Sequence, residues 1–315
     1  MPNGDPAWVG PYRIVARLGA GGMGWVYLGK SKSGRTFAVK VVRPEFADDP
    51  SFRARFAQEI AAARKVGGAY TAAVVDADPD AEMPWLATVY VAGPSLEEAV
   101  ERYGVFGEPL LLRLTAELTE ALQAIHTAGV VHRDLKPSNV LLAEDGLRVI
   151  DFGVSLVDWS SGLTQPGMVI GTPIYMAPEQ VRGEPATAAS DIFALGGVVY
   201  FAATGRAPFG RGYDLFGRIL DQTPELGDVP HALRDLLTAC LRKQPGERPV
   251  LADVLGRLSA GPAGDQRPEW PVAATRADDA VYQPKAQVPD GYLDVMAVLE
   301  ARLTEEHVIS AAAYA

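Results

Sequence analysis

Residues 130–142 read VVHRDLKPSNVLL, with His132, Arg133, Asp134, Lys136 and Asn139 crowded between apolar pairs. Burying charge is costly unless it is paired, so such a cluster points to groups that act together. The continuation, VLLAEDGLRVIDFG (140–153), reads as a strand, an Asp145-Gly146 turn and a second strand. Asn139 and Asp151 are equidistant from residue 145, and a symmetric hairpin returns both to one end. Their oxygens then reach one divalent ion in the manner of Mg²⁺, which takes one or two carboxylates plus phosphates and water. Asp134 is left free to accept a proton from an incoming hydroxyl, and Lys136 to neutralise charge on a phosphate.

Upstream, LGAGGMGWV carries G-x-G-x-x-G at Gly19, Gly21 and Gly24. In a dinucleotide fingerprint those glycines open a helix. Here Trp25, Val26, Tyr27 and Leu28 follow, a poor helix start, so the glycines are expected to cap a β-hairpin whose N–H groups can approach phosphates. An ordinary flexible turn is the plainer alternative. In TFAVKVV (36–42) alternation puts Ala38, Lys40 and Val42 on one face and Phe37, Val39 and Val41 on the other. Lys40 needs a partner in such surroundings, and Glu59 is the expected one, on a helix whose Phe52, Phe56, Ile60 and Ala63 form an apolar stripe. A purely structural ion pair is the competing reading.

The remainder sets the frame. The chain has 315 residues, 48% of them hydrophobic, and a net charge of −10, which argues against nucleic-acid and anionic-membrane partners. Cys240 is the single cysteine, so no internal disulfide forms, in keeping with a reducing compartment. MPNGDPAWVG does not resemble a secretion signal, and IFALGGVVYFAA (192–203) is too short to span a bilayer and reads as a buried helix. Cytoplasmic residence is therefore expected. Strand-like runs at 12–18, 25–30, 36–42 and 85–91 give way to helical spacing at Leu111, Leu114, Leu118, Leu122 and Ile125, with Pro109 suited to the first turn and Gly129 to the stop. The expected organisation is a tail over 1–11, a sheet lobe over 12–92, a helical lobe over 93–260, a Pro/Gly-rich linker over 261–291, and a terminal helix and tail over 292–315. Packing of that last helix on its own domain is the plain expectation, and partner docking the alternative.

Residues from about 12 to 260 resemble the bacterial Hanks-type serine/threonine protein kinases. GAGGMGWV resembles the glycine loop, AVK the ATP-anchoring strand, Glu59 the partner on helix C, HRDLKPSN the catalytic loop and DFG the magnesium loop, with GTPIYMAPE and DIFALG following in order. The resemblance implies an α+β, two-lobed protein-kinase fold: a small antiparallel β-sheet N-lobe with helix C, and a larger, mainly helical C-lobe. It implies ATP with Mg²⁺ or Mn²⁺ as cofactors and protein Ser/Thr hydroxyls as acceptors, and leaves a homodimer open. It makes Asp134 the catalytic base, Lys136 the phosphate-contacting lysine, and Asn139 with Asp151 the metal ligands. Leu18, Gly19, Ala20, Gly21, Gly22 and Gly24 would form the flap over the nucleotide. Val26, Ala38 and Leu141 would sandwich adenine, with Thr88 as gatekeeper and the backbone of Val89 and Val91 at the adenine edge. Glu179 and Arg248 would make a buried structural pair, and Asp191 would brace the catalytic loop.

Lys136 and Thr172 match the Ser/Thr branch. The resemblance also implies an activation segment before Glu179, with Ser155, Ser160, Ser161 and Thr164, where autophosphorylation at Thr164 is expected because Arg133 can grip a phosphate. Pro166 stands where relatives often carry a second phosphorylatable threonine, Val89 replaces the usual hinge acid, and Ser95 replaces an acid that meets the ribose. Two other classes compete: a catalytically dead scaffold, disfavoured because Lys40, Glu59, Asp134, Asn139 and Asp151 are all present, and a small-molecule phosphotransferase, disfavoured by GTPIYMAPE. His126, His231 and His307 lack ligand spacing and read as ordinary surface or core residues.

Overall fold

Alternation of half-buried and buried residues over 36–41 sets the two faces of the central strand of the N-terminal sheet. In the computed structural model, residues 4–21, 24–67, 69–151, 173–259 and 268–271 are described. The strands are β1 (Trp8–Val9), β2 (Tyr12–Ala20), β3 (Gly24–Lys30), β4 (Thr36–Val42), β5 (Val74–Asp78) and β6 (Trp85–Val89), in antiparallel order β1-β2-β3-β4-β6-β5. Phe37, Val39 and Val41 are buried on one face with Tyr12, Tyr27, Trp85 and Ala87, as the period of two predicts. Two short helices cross the β4–β5 connection: α1 (Pro44–Ala47) and α2 (Pro50–Ala63). Asp49 caps α2 by accepting the Ser51 N–H at 2.8 Å, and Pro50 fits its first turn. Its stripe of Phe52, Phe56 and Ile60 packs on Val42 and Leu86, on the face of the sheet that bears Lys40.

The C-lobe is helical: α3 (Leu96–Tyr103), α4 (Glu108–Thr127), α5 (Pro178–Val181), α6 (Ala188–Thr204), α7 (Leu215–Asp221), α8 (His231–Cys240) and α9 (Leu251–Ser259). Leu111, Leu114, Leu118, Leu122 and Ile125 of α4 are all fully buried, each contributing roughly 1.5–3 kcal/mol of burial. Helix α6 is apolar all round and correspondingly buried along its length. Cys240, at 1% exposure, packs in the same core, and burial pushes its thiol up to about 12. Among the described residues no helix is long and apolar enough to cross a membrane.

Four expectations need correction. The tail over 1–11 is partly structured: Trp8–Val9 pairs with β2, Val9 is buried, and Asp5 bonds Arg17 and Tyr27. The sheet has a further edge strand, β5, beyond the strand-like runs expected at 12–18, 25–30, 36–42 and 85–91. The two-stranded hairpin of β7 (Val140–Ala143) and β8 (Gly146–Val149) pairs Val140 with Val149 and Ala143 with Gly146, so Glu144 and Asp145 form the turn, one residue earlier than expected. Residues 268–271, assigned to the linker, are docked on the C-lobe, with Trp270 at 5% exposure among core residues. Gly22, Thr164 and the other activation-segment hydroxyls, Thr172 and the helix expected over 292–315 lie outside the described residues.

Candidate active site

Register fixes one wall of the cleft. Val26 lies opposite Lys40, Leu28 opposite Ala38, and Thr88 and Leu86 opposite Ala38 and Lys40, so Val26, Ala38, Lys40 and Thr88 share a face. Leu18, Gly19 and Ala20 end β2 above it, and the Gly21 N–H donates to the Gly24 carbonyl at 2.9 Å, closing the loop. Gly24 has to be glycine, because a Cβ there would fall 2.0 Å from the Val41 carbonyl oxygen. Gly19 and Gly21 face open space instead, the kind of clearance that lets backbone N–H groups meet a phosphate.

Past β6 the chain turns into the C-lobe. The Val89 N–H is taken by the Ala73 carbonyl at 3.0 Å, and Val91 follows outside the strand. Gly93, at φ 151°, passes so close to β7 that a Cβ would lie 1.9 Å from the Leu142 oxygen, and the Leu142 N–H bonds the Pro94 carbonyl at 2.9 Å. That contact sets half-buried Leu141 opposite Ser95, just after the segment 89–93. Ser95 spends its hydroxyl on the α3 capping box with Glu98.

The catalytic-loop side is densely bonded. Lys136 Nζ donates to Asp134 Oδ2 at 2.7 Å, and Asn139 Nδ2 to the Asp134 carbonyl at 2.9 Å, which turns the amide oxygen of Asn139 the other way. The Ile150 N–H donates to the Asn139 carbonyl at 2.9 Å, so Asn139 faces Ile150 and Asp151 comes one residue later at the same hairpin end. Arg133 and Asp151 both sit in left-handed backbone, at φ 69° and 57°, conformations that cost energy in non-glycine residues. Arg133 is gripped from two sides: its N–H donates to Asp191 Oδ1 at 2.9 Å, and its carbonyl accepts from Gln180 Nε2 at 2.9 Å. Asp191 also accepts the His132 N–H at 2.8 Å and lies 2.7 Å from His126 Nε2. The buried His132 ring accepts the Asp134 N–H through Nδ1, and burial holds its pKa down against the pull of Asp191 and Asp134.

The expected pair of Lys40 with Glu59 is not formed. Lys40 Nζ lies 3.2 Å from Asp151 Oδ1, and Glu59 Oε2 is buried without a hydrogen-bond partner. Burial pushes the Glu59 carboxyl up to about 8, against Lys40 and Arg133, whereas Asp151 is held below the usual carboxylate range because Lys40 overrides the effect of burial. With Lys40 turned to Asp151, Asp151 stays ionised and Glu59 is left the harder acid to ionise. Among the described residues no three His, Cys, Asp or Glu cluster as a metal site. A site of one carboxylate and one amide nevertheless suits an ion held mostly by phosphate and water.

A protein kinase domain profile matches residues 12–257. The chain belongs to the protein kinase family, in its bacterial serine/threonine branch. The chain is 52% identical over 273 residues to "Probable serine/threonine-protein kinase PkwA" of Thermomonospora curvata, covering 86% of this chain and 36% of that protein. It is 50% identical over 258 residues to serine/threonine-protein kinase AfsK of Streptomyces coelicolor, covering 81% and 32%. The chain thus spans about a third of the length of these relatives. Among solved structures, the PknI kinase domain of Mycobacterium tuberculosis superposes with a TM-score of 0.64 at 25% identity, over 79% of this chain and 95% of that one. The family uses ATP with a divalent metal, and the open glycine loop and the oxygen-bearing hairpin end fit that pair. The sequence pointed to His126 only as an ordinary surface or core residue and did not point to Gln180. Each acts on the catalytic loop across a long separation in the chain, and neither residue type signals it locally.

Proposed function

We propose that the described site transfers the γ-phosphoryl group of ATP to serine and threonine hydroxyls of proteins. The observation that carries the reading is the constellation of Asp134, Lys136 and Asn139 in one bonded loop with Asp151 at the adjoining hairpin end. Asp134 accepts the hydroxyl proton as the acceptor oxygen bonds phosphorus and the β-phosphate oxygen leaves; Lys136 offsets the charge on the transferring group. Asn139 and Asp151 would hold the divalent metal, whose chemistry would be to screen the charge on the phosphate oxygens. Val26, Ala38 and Leu141 flank adenine, Thr88 stands behind it, the Val89 carbonyl and the Val91 backbone bond its edge, and residues 18–24 cover the phosphates. With Asp151 and Asn139 holding a metal, Lys40 would be free to meet the phosphates and Glu59. Autophosphorylation at Thr164 belongs to the same reading.

The test is transfer from labelled ATP to casein, with aminoglycosides and choline as competing acceptors. Asp134→Asn lowers transfer to casein about 10³-fold with an unchanged melting temperature, and abolishes phosphate at Thr164. A variant as active as the parent, or labelling of the small molecules alone, ends the reading.

A further inference from the structure

Residues 268–271 lie on α4 in a way that reaches the hairpin end described above. The Trp270 ring stands over the Arg113 guanidinium, 4.2 Å from carbon to centroid, and against Phe106 at 6.2 Å between centroids. The Pro268 carbonyl accepts from Arg113 Nη1. Arg113 Nε in turn donates to Glu117 Oε1 at 2.7 Å, one helical turn on, in a pair whose side chains are 8% and 5% exposed. The other oxygen, Glu117 Oε2, accepts the Leu147 N–H of β8 at 2.9 Å. Leu147 pairs with Leu142, and the same hairpin ends at Asn139 and Asp151.

We propose that the segment Pro268–Pro271 is a strap that positions the β7–β8 hairpin through Arg113 and Glu117, so that seating of Trp270 tunes the hold of Asn139 and Asp151 on the metal. Buried charges are worth most when their partners are fixed. Arg113 is fixed from above by an aromatic face and a carbonyl, and it neutralises the carboxylate that grips β8. Removing the ring exposes the guanidinium to water, weakens the hold on Glu117 and frees the Leu147 amide. Trp270 Nε1 is buried with no acceptor, so Trp270 contributes through its ring face and not through its N–H, and phenylalanine can replace it. Arg113, Glu117 and Trp270 are positioning residues, since none of them touches the reacting groups. The metal half of this inference rests on the proposed phosphotransfer site; the fastening half does not.

The experiment uses the whole chain in three forms: parent, Trp270→Ala and Trp270→Phe. Amide hydrogen exchange is followed at Leu147 and, as a reference, at Leu233 and Leu237 of α8. Mn²⁺ binding is titrated by calorimetry with a non-hydrolysable ATP analogue present. Trp270→Ala is expected to speed exchange at Leu147 about tenfold with α8 unchanged, and to weaken Mn²⁺ about tenfold; Trp270→Phe restores both. Should the alanine variant not fold, Trp270→Leu, which fills the pocket without a π face, must move both readouts in the same direction. Unchanged exchange at Leu147, acceleration shared equally by α8, or faster exchange with unaltered Mn²⁺ affinity each overturn the inference. A parent chain that binds no Mn²⁺ with the nucleotide analogue instead defeats the phosphotransfer reading, and the exchange arm still decides whether the strap fastens the hairpin.

Discussion

Two buried acids in this domain meet opposite fates. Glu179 accepts from both Arg248 nitrogens, at 2.7 and 2.8 Å, and from Ser190 at 2.7 Å; burial opposes its ionisation, yet these bonds hold it below the usual carboxylate range. Glu59 keeps a buried oxygen without a partner and ionises only near 8. The first acid ties α5 to α6 and to the segment before α9, beside the loop that carries Asp134. The second lies across the cleft from that loop, next to a lysine engaged elsewhere. The half of the site that holds the catalytic loop is therefore built in one arrangement, whereas the half around Lys40 has one cation and two acids to choose from. A fully paired ion network resists alternatives; an unpaired buried acid invites them.

Arg248→Met breaks the contrast most severely. It strands Glu179 as an uncompensated buried charge at a cost of about 3–5 kcal/mol, and the melting temperature falls by roughly 10 °C. In the parent, the Glu179 contribution is present above the ordinary carboxylate range and is lost as pH falls through its depressed pKa, so the deficit of the variant shrinks in acid. A thermal scan at pH 7 showing no loss would mean that the pair is dispensable.

Glu59→Gln sharpens the contrast by a smaller amount and with the opposite sign. A carboxyl raised from 4.5 to about 8 destabilises the fold progressively as pH rises between those values and costs no more beyond them. The variant should match the parent near pH 4 and exceed it by a few kcal/mol at pH 8, while losing activity because Lys40 has lost its second partner. Parallel melting curves across that range would refute the account of Glu59. The smallest effect is expected from Gln180→Ala, which frees one carbonyl of the strained Arg133. About 1 kcal/mol of local support is lost, lowering kcat several-fold with the melting temperature nearly constant. An unaffected kcat would show that the Asp191 side alone holds the loop.

What the sequence disclosed and what it withheld divide along the range of the interactions. Alternation in 36–42 and the stripe from Leu111 to Ile125 are local patterns, and both led directly to the buried faces observed. The polar loop at 132–139 was equally legible, because its residues are neighbours in the chain. Strand β1 is two residues long, and β5 reads VVDAD, with acids where a strand would carry apolar residues. The hairpin slipped by one residue because Gly146 was taken for a turn position, although it pairs with Ala143. His126 and Gln180 meet partners 65 and 47 residues away. Lys40 has two acids within its lobe's cleft, Glu59 and Asp151, and no pattern of residue types records which of them it meets.

The sole thiol, Cys240, has a practical consequence. With its sulfur sealed in the core and protonated until about pH 12, it should ignore maleimides and disulfide reagents under ordinary conditions. A single cysteine introduced at an exposed site in each lobe would then carry a pair of fluorophores without background labelling, and cleft opening could be timed on a chain otherwise unaltered.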